Sequence, residues 1–140
     1  MPERIWTLAK AFAHFGATAT NGRWAWSARN ADGTTIVLTL WDDEIDDDGA
    51  TVTADFFNRW NLPVWRDRLG NRDRIKNLRL ARDCAGGLFR VVMVTAKDPQ
   101  ALTRSIIRRY PHPTLVMKLL DGSDGLNEVT GEFRAVSVSR

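Results

Sequence analysis

Three observations put this chain in the α+β class. The nine residues Leu88 to Ala96 are apolar at nearly every position, two earlier stretches alternate apolar and polar residues by two, and three segments space their apolar residues by three and four. Together they predict one domain over residues 1–140, with a mostly antiparallel or mixed sheet of five or six strands flanked by about three helices. A chain of 140 residues needs only one core, since at about that length roughly 68–70% of the unfolded surface is already buried.

The first helix is read over 2–15, where Ile5, Leu8, Phe12 and Phe15 share a face and Gly16 supplies the stop. Trp24 to Arg29 then alternates as a strand, Asn30-Ala31-Asp32-Gly33 has turn chemistry, and Thr34 to Trp41 returns as the second arm of a hairpin. In that arm Ile36, Leu38 and Leu40 should occupy one face and Val37, Thr39 and Trp41 the other. Residues 42–49, DDEIDDDG, form an acidic run in which Glu44, Asp46, Asp48 and Asp55 approximate the spacing of a calcium-binding EF-hand loop. A strand rather than a helix precedes it, and the twelfth position is Asp rather than the longer Glu, so the run is read as a solvated turn without a metal. Thr51 to Phe57 is a third strand. Asn58 to Gly70 sets Trp60 and Trp65 among Arg59, Arg66 and Arg68 around the structure-breaking Pro63.

The unit on which the rest depends runs from Asn71 to Asp98. Asn71 is the expected N-cap of a helix whose Ile75, Leu78, Ala81 and Ala85 face inward, and Gly86 closes it. It leads directly into the run 88–96, a strand with no polar face, which must therefore be covered on both sides and lie inside the sheet. Arg72, Lys76, Arg79 and Arg82 form a basic stripe on the opposite side of the helix. A third helix is expected from Asp98-Pro99, burying Ala101, Leu102, Ile106 and Ile107, exposing Arg104, Arg108 and Arg109, and ending at Tyr110-Pro111-His112-Pro113. Two last strands, 115–120 and 132–138, flank a polar loop.

The net charge of +3 conceals a segregation along the chain. Residues 1–57 carry four Lys/Arg against nine Asp/Glu, residues 58–110 carry thirteen against four, and the last thirty carry three against four. Such asymmetry suggests a polyanionic partner, or pairing of acidic with basic segments within or between chains. A lone cysteine, Cys84, forms no internal disulfide and suits a half-buried place in a reducing compartment. The N-terminal stretch has charges every few residues and no long apolar run, so no membrane association and a cytoplasmic location are expected.

Two histidines and one cysteine cannot build a histidine- or cysteine-based zinc site, and no phosphate-binding glycine loop, nucleophile elbow or paired-histidine helix occurs. The enzyme signatures are missing, no cofactor is expected, and the reading leans away from catalysis. One enzyme class needs only carboxylates, a lysine and a metal. The order of elements over about 1–96 is similar to the core of the PD-(D/E)xK nucleases, which implies a metal-dependent phosphodiesterase with Asp42 or Asp43 as metal ligand; no Glu-x-Lys occurs to complete the site.

A small, basic, strand-rich, bacterial-looking domain with six tryptophans also resembles the PUA-like group that includes the ASCH, EVE and SRA domains. That resemblance implies a DNA-binding reader that holds a flipped or modified base between aromatic rings. Trp24, Trp26, Trp41, Trp60 and Trp65 would be the stacking residues and Asp42, Asn30 and Asn58 the readers of the base edge. Phosphates would be held by Arg72, Lys76, Arg79 and Arg82, with Arg104, Arg108, Arg109, Arg59 and Arg66. Nucleic-acid binding is thus the first expectation, the phosphodiesterase the second, and the third a homodimeric interaction domain in which the acidic loop of one chain meets the basic helix of another.

Overall fold

The computed structural model describes residues 6–19, 26–55, 69–101, 105–119 and 134–139, with the side chains of 54–55, 69–73, 75 and 134 outside that description. The described elements are α1 (Leu8–His14), β1 (Ser27–Arg29), β2 (Ile36–Trp41), β3 (Asp46–Asp47), β4 (Val52–Asp55), α2 (Leu69–Cys84), β5 (Leu88–Ala96), β6 (Ile106–Leu119) and β7 (Arg134–Ser139). The seven strands form one mixed sheet in the order β1-β2-β5-β6-β7-β4-β3, in which only β2 and β5 run parallel. The α+β expectation holds, with seven strands rather than five or six and two helices among the described residues rather than about three.

β5 spans the expected residues and lies inside the sheet, paired with β2 on one side and β6 on the other. Its alternation divides the core. Phe89, Val91 and Met93 join Ile36, Leu38 and Leu40 of β2 and Leu78 and Ala81 of α2 in one cluster, while Val92 and Val94 join Val37, Ala28, Ala11 and Phe12 in a second. One helix therefore packs on each face, and the hairpin β1–β2 presents the two faces read from its sequence.

Local chemistry sets the helix ends. The Thr7 hydroxyl accepts from the Lys10 amide at 3.1 Å and caps α1. α2 begins at Leu69, so Asn71 falls inside its first turn instead of capping it. At the other end Gly86 and Gly87 take φ of +63° and +80°, and the Gly87 amide donates to the Ala81 carbonyl at 2.7 Å, turning the chain at once into β5. Cys84, expected half-buried, is exposed.

The helix expected from Asp98 is not formed among the described residues. Asp98 accepts from the Gln100 amide at 2.9 Å, the Lys97 amide donates to the Ser105 carbonyl at 2.9 Å, and the chain returns as the fourteen-residue strand β6. The reason is non-local: β5 has amides and carbonyls on both edges, and β6 satisfies the edge that β2 leaves free. The β-branched Ile106 and Ile107 suit that strand, and its two prolines are accommodated by irregular pairing. Between the pairs Arg90↔Val116 and Val92↔Pro111, one residue of β5 faces four of β6. The bulge is held by His112, whose Nδ1 accepts from the amides of Thr114 and Leu115 at 3.3 and 3.0 Å. A second register shift leaves Ile107 opposite no residue and 62% exposed.

Candidate nucleic-acid interface

α2 carries the expected stripe only in part, and its buried side is more polar than its spacing suggested. Leu78 and Ala81 are fully buried, but the same steps of three and four continue back to Asn77 and Arg74, which are also buried. The Asn77 Nδ2 donates to the Ser27 hydroxyl at 2.7 Å and its Oδ1 accepts from Arg29 at 3.4 Å, joining α2 to β1. Arg74 lays its guanidinium 5.2 Å from the centre of the Trp26 ring. One of the helix's cations is thus spent on packing, through a cation–π contact.

On the outer side Lys76 is exposed, and Arg79 and Arg82 are half-buried. Arg82 is also paired with Asp83 at 2.9 Å, which holds the Asp83 carboxyl below its ordinary range. Arg72 lies in the helix with its side chain outside the description. The three described cations follow steps of three along a helix of sixteen residues, roughly 24 Å long.

The cations of the segment read as a third helix do not share a surface. Arg108 is exposed and stacks 5.2 Å over Tyr110, which packs on the cluster beneath α2, so Arg108 stands on the α2 side of the sheet. Arg109 pairs with Val94 of the other cluster, is half-buried, and keeps its Nε buried without a hydrogen bond. β-Alternation separates what a helix would have grouped. Arg104, Arg59 and Arg66 lie outside the described residues.

Among the stacking candidates, Trp26 is half-buried beneath Arg74, and Trp41 is half-buried against the second cluster. Trp24, Trp60 and Trp65 lie outside the described residues. The edge readers are occupied too. The Asn30 Oδ1 accepts from the Thr35 amide at 2.9 Å while its Nδ2 donates to Thr34 at 3.1 Å, and the Asp42 Oδ2 accepts from the Thr95 hydroxyl at 2.5 Å. Asn58 is outside the description. Among the described residues no three His, Cys, Asp or Glu side chains form a group able to hold a metal ion. In the acidic run Asp47 and Asp48 accept from backbone amides of 49–51 and shape the turn.

Asn77, Ser27 and Arg74 were not picked out from the sequence; the signal was the backward continuation of the helix's own three-four spacing into polar residues. No helix of the described residues is long and apolar enough to cross a membrane. No protein-family model matches the chain, and neither a curated protein nor a solved structure is found similar to it.

Proposed function

We infer that this protein is a nucleic-acid-binding module that holds phosphates along the outer side of α2. The observation that carries the reading is the row Lys76, Arg79 and Arg82 on one helix, with the exposed Arg108 on the same side of the sheet. Cations at such spacing neutralise successive phosphates and release their counterions. The thirteen Lys/Arg of residues 58–110 against four Asp/Glu supply the surrounding field. Phosphate contact is the primary mode, because Trp26 and Trp41 are engaged in packing; recognition of a flipped or modified base, in the manner of the PUA-like readers, would fall to the remaining tryptophans. The phosphodiesterase reading rests on Asp42 or Asp43; the Asp42 carboxylate already accepts from the Thr95 hydroxyl, and no other observation favours the reading.

The test is a fluorescence-anisotropy titration of short labelled single- and double-stranded oligonucleotides at about 50 and about 200 mM salt. An affinity falling by roughly 10³-fold between the two, as expected for about six or more phosphate contacts, supports the reading. No response to any oligonucleotide at the lower salt overturns it.

A further inference from the structure

On the sheet face opposite α2, the end of α1 and the starts of β2 and β5 enclose an open cavity of about 510 Å³. This is within the size range of small-molecule sites, roughly 300–1,000 Å³. Its lining joins Phe15, Leu88 and Val116 with four polar side chains, Arg90, Thr34, Thr35 and His14, and includes no carboxylate among the described residues. Arg90 is the centre of it. Its guanidinium sits 4.6 Å over the Phe15 ring and its Nη2 donates to the Pro113 carbonyl at 3.0 Å, which fix its position. Its Nε is buried without a partner and its Nη1 makes no hydrogen bond among the described residues, so the half-buried cation retains donor capacity. Thr34 has already donated its hydroxyl to Asp32 at 2.6 Å, but the hydroxyl of Thr35 forms no hydrogen bond among the described residues.

A partly desolvated guanidinium that shares a cavity with a free hydroxyl and apolar walls is complementary to one negative head group on an apolar body. We propose that this cavity binds a small organic anion, a carboxylate or a phosphate carried on an aromatic or aliphatic group. The head group sits at Arg90 and Thr35, and the body lies along Phe15, Leu88 and Val116. Arg90 and Lys76 are on opposite faces of the sheet, so this site stands or falls independently of the nucleic-acid surface.

The experiment is an amide-resolved NMR titration of the full chain with phenyl phosphate, benzoate and the neutral benzamide. Saturable shifts at Thr35, Arg90 and Val116 with either anion, absent with benzamide, are expected, and which anion saturates first names the preferred head group. Arg90→Gln should weaken binding about tenfold or more, the size of one lost charge-assisted hydrogen bond. Leu88→Trp, at an exposed strand position, should fill the cavity and abolish binding with Arg90 in place, which keeps the test decisive if Arg90→Gln fails to fold. No saturation with either anion by about 20 mM, well past millimolar affinity, overturns the proposal, as do equal shifts with benzamide or binding unchanged in Leu88→Trp.

Discussion

Single side chains in this protein are mostly employed in holding segments together, and the polar ones are the most informative. Asn77 is the clearest case, because it is buried and bridges Ser27 and Arg29. Asn77→Ala should cost about 1–3 kcal/mol, since it leaves the buried Ser27 hydroxyl without that partner; urea unfolding should show a lower midpoint with an unchanged slope. Asp32 is held below its ordinary carboxylate range, chiefly by the Thr34 hydroxyl and then by the Thr34 amide, and Asp83 is lowered by Arg82. A depressed folded value means that the stability these two contribute is complete above their unfolded values and is lost as pH falls through the folded ones. The double variant Asp32→Asn/Asp83→Asn should therefore flatten the acid limb of stability below about pH 4 and leave its dependence nearer neutrality unchanged. At this scale the sequence was legible where residue type and turn chemistry agree, as at Asn30-Ala31-Asp32-Gly33. It was not legible at Arg74 and Asn77, whose partners lie about fifty residues away.

Among the elements, β5 and the β1–β2 hairpin could be read directly, because a strand buried on both faces and a strand pair of period two each leave a local pattern. β6 could not. The spacing of Ala101, Leu102, Ile106 and Ile107 imitates a helix, and what overrides it is the demand of β5 for a hydrogen-bonded neighbour on its second edge. The cavity around Arg90 was equally hidden, being assembled from four segments far apart in sequence. The two accounts of residue 107 differ sharply in energy. As the extra residue of a bulge it is 62% exposed, so Ile107→Thr should change stability by no more than about 0.5 kcal/mol. As an inward residue of a helix it would cost several times more, of order 2–5 kcal/mol for loss of a buried aliphatic side chain. A chemical denaturation curve separates them.

For the whole molecule, the sheet acts as a divider between two chemistries. The α2 side carries Lys76, Arg79, Arg82 and Arg108 toward solvent, and the α1 side carries the half-buried Arg90 and Arg109 among apolar neighbours. Charge segregation along the chain predicts cations grouped together, whereas alternation along β6 divides Arg108 and Arg109 between the two sides. The central claim, that the outer side of α2 is the phosphate-holding surface, is tested most directly by neutralising it. The triple variant Lys76→Gln/Arg79→Gln/Arg82→Gln is compared with Lys118→Gln, an exposed cation on β6. Binding of a labelled DNA duplex is followed by fluorescence anisotropy across a salt series. The triple variant should reduce the slope of log affinity against log salt by about 2–3, close to 0.9 per lost phosphate contact, while Lys118→Gln leaves it unchanged. Equal slopes and equal affinities for the native chain and the triple variant would contradict the account.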